Sequence, residues 1–152
     1  MNLRTRFLPS ALLCGLVAVS VAGCGNMRPA NKVDIFEAAL SGGAEVPPAA
    51  TPATGDAEVQ LNTNTNTLRW KVTYSGLTGA ATGAHIHGPA PVGQNAGVVV
   101  PFSGDLNAQP LTGETKLTQE QVTQLMNGLW YVNIHSARFP GGEIRGQLRP
   151  RR

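Results

Sequence analysis

Cysteine is almost missing from this 152-residue chain: there are two, Cys14 and Cys24, both near the N-terminus. A disulfide-dense scaffold and a Cys-rich metal site are excluded for the remainder. Aromatic residues make up 5%, which gives little direct support to a glycan- or protein-binding face. Charged residues are only 14% and form no basic stripe, so nucleic acid is not an expected partner. No apolar run is fit to stay in a membrane: the stretch Phe7–Ala22 is short, broken by Pro9 and rich in small residues. A Gly-x-Ser-x-Gly elbow and a phosphate loop are also missing. Glu45, Asp105 and Glu143 are too dispersed in sequence to form a paired-carboxylate hydrolase site.

What the N-terminus does contain reads as an address. Arg4 and Arg6 form a positive segment ahead of the apolar stretch, the pattern of a signal peptide over residues 1–23. The stretch ends in Val21-Ala22-Gly23-Cys24, which resembles the lipobox of bacterial lipoproteins. That resemblance implies cleavage before Cys24 and a lipid on its sulfur, hence an exported cell-envelope protein held to the membrane through Cys24. Gly25 in place of an aspartate implies the outer membrane, facing the periplasm or the surface, if the cell is Gram-negative. With Cys14 removed and Cys24 acylated, the folded part keeps no thiol. Loss of Arg4 and Arg6 also leaves the chain nearly neutral, despite a sequence pI near 9.2. About 130 residues remain, enough for one domain with a real core. Residues 24–32 read as a lipidated tether, 33–149 as the domain and 150–152 as a solvated basic tail.

Gly and Pro number 18 and 11, so many turns between short strands are expected. Leu68, Trp70, Val72 and Tyr74 alternate with polar residues, the clearest strand in the chain. With Val59 and Leu61 across the polar turn 62–67 they predict a hairpin. Further strands are expected at Val33–Leu40, Ala84–His87, Val98–Phe102, Leu111–Leu117, Leu129–His135 and Glu143–Leu148. One short helix is predicted over about 118–127. Thr118 and Gln121 form its capping box, Leu117 and Val122 a staple, and Val122, Leu125, Met126 and Leu129 an apolar face that stops at Gly128. The pattern predicts an all-β domain, an antiparallel β-sandwich or Greek-key-like barrel with one short helix.

The histidines number three: His85, His87 and His135. Alternation puts His85 and His87 on one strand face, with Ile86 on the other. In the strand ending at His135, Tyr131, Asn133 and His135 share a face. Should the two strands be neighbours, three neutral imidazoles converge, a donor set suited to copper and, less well, to zinc.

The chain also resembles the CHRD (chordin-like) domain over residues about 34–149. The motifs run in order: Leu40-Ser41-Gly42-Gly43-Ala44-Glu45-Val46-Pro47-Pro48, then Ser75-Gly76-Leu77-Thr78-Gly79 leading to Ala84-His85-Ile86-His87-Gly88-Pro89-Ala90. Gly128 through Ser136 then runs into Pro140-Gly141-Gly142-Glu143-Ile144-Arg145-Gly146-Gln147. The resemblance implies an all-β domain and puts every histidine inside a family motif; it does not supply a mechanism. A shorter stretch, Gly76-Leu77-Thr78 and then Gly83-Ala84-His85-Ile86-His87, is similar to the copper-histidine segment of copper-zinc superoxide dismutases. The chain lacks the cysteine pair and the extra histidines of that family, so the likeness implies a single copper on His85, His87 and His135 at most.

Two functions follow. One is a copper-binding domain able to act like a superoxide dismutase, with Arg145 or Arg138 guiding the anion; an ion pair of Arg145 with Glu143 or Glu45 is the competing structural role. The other is a non-enzymatic envelope module that binds a protein or a glycan, with histidines that merely hydrogen-bond.

Overall fold

Alternation decides which side of each strand is wet. In the computed structural model, which describes residues 32–151, β1 (Val33–Ser41), β2 (Thr54–Asn62) and β3 (Thr67–Ser75) form an antiparallel meander. Phe36, Val59 and Trp70 lie abreast on its inner face, as do Ala38, Ala57 and Val72, all of them buried. The expected hairpin turn closes on Asn62, whose Oδ1 accepts from the backbone N–H groups of Asn64 and Thr65 at 3.0 and 3.1 Å. Asn66 takes the left-handed backbone, φ 53°, that asparagine tolerates best among residues with a side chain. The signal segment, Cys24 and residues 25–31 lie outside the described residues.

The remaining strands are β4 (Ala81–His87), β5 (Val98–Pro101), β6 (Leu111–Lys116), β7 (Tyr131–Ser136), β8 (Ile144–Gln147) and the two-residue β9 (Arg149–Pro150). All join one antiparallel sheet in the order β5-β4-β7-β8-β1-β2-β3-β6, with β9 beside β1. Residues 76–80 alone connect β3 to β4, which lie five places apart in that order. In a flat sheet those strands would be ~24 Å apart, beyond the reach of ~20 Å for such a link fully extended. The sheet therefore curls into a nearly closed barrel. Trp70 of β3 stacks on Phe102, just after β5, with centroids 4.9 Å apart, and the two halves share a single core.

The helix α1 (Gln119–Met126) forms as its capping box predicts: Thr118 Oγ1 accepts from the Gln121 N–H, and the Gln121 side chain accepts from the Thr118 N–H. Val122 and Leu125 are buried, but Met126 is 42% exposed and does not belong to the apolar face expected of it. The chain end departs from expectation as well. The tail is exposed but attached: Arg149 and Pro150 pair with β1, and the Arg151 guanidinium sits on the carboxylates of Glu37 and Glu58.

Candidate metal centre

β4, β7 and β8 lie side by side, with Ile86, Val132, Ile134 and Ile144 pointing into the core. Alternation sends His85 and His87 of β4, Tyr131, Asn133 and His135 of β7, and Arg145 of β8 to the opposite, outer face. Register sets the pairs: His87 lies across from Tyr131, His85 from Asn133, and His135 from Gly83. A Cβ on Gly83 would stand 3.0 Å from His85 Cε1 and 3.4 Å from His135 Cδ2. The missing side chain is the space into which the two imidazoles lean together. As the alternation suggested, the three histidines converge, with one ring nitrogen from each lying within 4.8 Å of the others.

Backbone carbonyls fix which nitrogens are free. His87 Nδ1 lies 3.0 Å from the Ala96 carbonyl and His135 Nδ1 lies 2.9 Å from the Pro140 carbonyl. A carbonyl only accepts, so both Nδ1 atoms carry the proton and both Nε2 atoms present a lone pair. His85 Nδ1 is 3.2 Å from His135 Nε2. His87 Nε2 is buried and has no hydrogen-bond partner, a costly state for a polar atom. Burial, with His135 and His87 close by, lowers the His85 pKa to about 4. Burial also lowers that of His87; the bond to Ala96 opposes the shift, and His135 and Arg145 add to it. Both rings are therefore neutral at ordinary pH, the form that binds a metal. Three convergent imidazoles, two of them oriented by carbonyls and one with an orphaned nitrogen, fit a copper or zinc ion with a position left open.

Loops cover this face. The segment Gln94–Ala96 lies over it and is tied down at each residue. Arg145 donates to the Gln94 carbonyl at 2.6 Å and to Asn95 Oδ1 at 2.9 Å, while the Ala96 N–H donates to the Tyr131 hydroxyl at 3.1 Å. Asn95 in turn donates to the Val46 carbonyl at 2.9 Å, joining this loop to the one after β1.

A family model described as the CHRD domain matches residues 36–148. The chain belongs to the CHRD domain family. No curated protein and no solved structure matches it significantly.

The CHRD motifs contribute more to the outer face than the histidines do. Glu45, in the first motif, is 5% exposed and accepts from Asn133 Nδ2 at 2.7 Å. Burial raises its pKa to about 7, against the opposing pull of Arg145, the Val46 N–H and Asn133. Gly142 makes room for that bond: a Cβ there would lie 2.5 Å from Asn133 Nδ2 and 2.6 Å from Glu45 Oε1. Glu143 is buried elsewhere, bonded to Thr51 Oγ1 at 2.7 Å and to the Thr78 N–H and hydroxyl at 2.9 and 3.0 Å. Burial pushes its carboxyl up, but bonds from Ser136, Thr51 and Thr78 outweigh it and hold the pKa below the usual range.

Arg145 therefore does not form the ion pair expected with Glu143 or Glu45, because its donors go to Asn95 and Gln94. At 2% exposure it is no surface cation either. Arg138, exposed and stacked over Phe139 at 5.6 Å, is the accessible arginine of the loop after β7. Sequence reasoning found the three histidines and the face that Tyr131 shares with His135, and missed the space at Gly83, the bond of Glu45 to Asn133 and the 94–96 loop. A glycine inside the strand that carries the histidines was the available signal for the first.

Proposed function

We propose that this CHRD-domain protein is exported, is anchored by lipid on Cys24, and binds one copper ion in the cell envelope through His85, His87 and His135. The observation that carries this reading is the orphaned, buried Nε2 of His87, set among imidazoles whose other nitrogens are committed to Ala96 and Pro140. Lipidation and location rest on the N-terminal segment. No helix among the described residues is long and apolar enough to cross a membrane.

Bound copper supplies one-electron chemistry between Cu(I) and Cu(II), suited to superoxide dismutation. The chain's part is to hold three imidazole nitrogens together and leave a fourth position open. Exposed Arg138, three residues after His135, is better placed than buried Arg145 to draw in an anion.

The test is copper and zinc content of the purified protein beside a His85→Ala/His87→Ala variant. One tightly held copper per chain, lost in the variant, is the expected result and leads to a superoxide assay. No metal under copper-replete conditions sinks the reading. That outcome would favour an envelope module binding a protein or glycan, for which the cleft of about 330 Å³ between residues 45–49 and 138–142 is one available surface.

A further inference from the structure

The Tyr131 ring is held between two other groups. One face stacks on His87, centroids 4.9 Å apart and planes within 3°. The Arg145 guanidinium carbon lies 3.4 Å from the Tyr131 centroid. Since β4 and β8 flank β7 on opposite sides, His87 and Arg145 take opposite faces of the ring. The order is thus imidazole, phenol, guanidinium. The Gln94–Ala96 loop bonds to each of the three, so the stack is fixed along its length.

Arg145 is almost completely buried, and among the described residues no carboxylate lies within 4 Å of it; Glu45 feels its charge only from farther off. Its listeners are the neutral oxygens of Gln94 and Asn95 and the face of Tyr131. A buried charge with no carboxylate directly paired to it is costly, and a hydrophobic residue or a paired one would pin a loop at lower cost. Such a charge also acts at long range, because low-dielectric surroundings and not mobile salt lie around it.

We propose that Arg145 is a positioning residue that holds His87 through Tyr131 and, by a buried positive charge that no carboxylate pairs directly, favours Cu(I) over Cu(II) at the three-histidine centre. This rests on the copper reading above. Any positive charge nearby penalises the more highly charged metal state more. A unit charge roughly 10 Å away, at an effective dielectric of about 20, is worth on the order of tenfold in the ratio of the two affinities.

The test compares Cu(I) and Cu(II) affinities, measured separately with competing chelators, in the full-length protein and three variants. Arg145→Gln keeps a planar hydrogen-bonding group and removes the charge. Arg145→Lys keeps the charge and loses the planar stack. Asn95→Asp leaves Arg145 in place and sets a carboxylate against it on an exposed loop, so it decides the matter if Arg145→Gln does not fold. The expected result is a Cu(I)-to-Cu(II) affinity ratio about tenfold lower in Arg145→Gln, lowered less in Asn95→Asp and largely kept in Arg145→Lys. A merely structural role would weaken both affinities together. Copper-loaded Arg145→Gln or Asn95→Asp with the parent ratio overturns the proposal while leaving the copper site standing. Failure of the parent protein to bind copper overturns both.

Discussion

Two parts of one sheet share a sequence rhythm and differ in what lies outside them. On the outer face of β1, β2, β3 and β6, Arg69, Lys71 and Glu114 stand in water, Glu37 and Glu58 meet Arg151 of the exposed chain end, and Arg69 meets Glu114 at 2.9 Å with both side chains more than 60% exposed. On the outer face of β4, β7 and β8, the same alternation yields Tyr131, Asn133 and Arg145, all buried, beside half-buried His85, His87 and His135. The difference is cover. Residues 45–46 and 94–96 fold over the second face and none of the described loops is bonded across the first in this way. Under cover, each polar atom needs a named partner, and losing one is costly. In the open, water replaces whatever is lost.

The largest expected effect therefore lies under the cover. Gly142 has φ 134°, a backbone that side chains rarely adopt, and its missing Cβ leaves room for the Asn133–Glu45 bond. Gly142→Ala should destabilise the domain by about 3 kcal/mol or more, read from urea unfolding, since strain and a broken buried bond add together. A change below about 1 kcal/mol would mean that the covered face tolerates loss as the open one does.

Next comes the gap between the imidazoles. Gly83→Val should fill the space His85 and His135 share and weaken copper binding on the order of a hundredfold, with the β-sheet circular dichroism unchanged. Unaltered affinity would show that the rings do not need Gly83 in order to converge.

Much of this contrast was legible before the structure, and the limits are physical. Period-2 alternation marks Ile86, Val132 and Ile134 as inward and the histidines as outward, and the Thr118–Gln121 box marks the helix start. Those signals are local. Whether an outward residue is wet depends on loops such as 88–97, whose course is set by bonds from Arg145, Tyr131 and His87, up to 51 residues away in sequence. No periodicity encodes such bonds, so Arg145 reads from sequence as a partner for nearby acids. The C-terminal strap was missed for a related reason: Arg149 and Pro150 are too few to show alternation, yet β1 has an edge for them.

Two buried glutamates sharpen the comparison within the covered region. Glu45 titrates near 7 when folded, against 4.5 as its ordinary value. Between those values the folded protein keeps a proton that the unfolded chain has lost. Its contribution to stability therefore falls as pH rises from about 4.5 to about 7. Glu143 has a lowered pKa, so its contribution is present above the unfolded value and lost as pH falls through the folded one. Glu45→Gln should remove a decline on the order of 1–3 kcal/mol between pH 4.5 and 7, measured by urea unfolding at several pH values. Glu143→Gln should instead remove stability at neutral pH and flatten the acid limb. Parallel profiles for the two variants would contradict the opposite signs.

The smallest effect belongs to the open face, and its smallness is what the comparison requires. Arg69 and Glu114 are directly opposite in register on β3 and β6 and make the most regular ion pair of that surface. In water the Coulomb gain is weak, salt screens it, and ordering two long side chains offsets part of the remainder. Arg69→Ala should change unfolding free energy by no more than about 0.5 kcal/mol, less still at high salt. A loss of about 2 kcal/mol would mean that this face, too, is covered by something in solution, and that the two halves of the sheet differ less than their loops indicate.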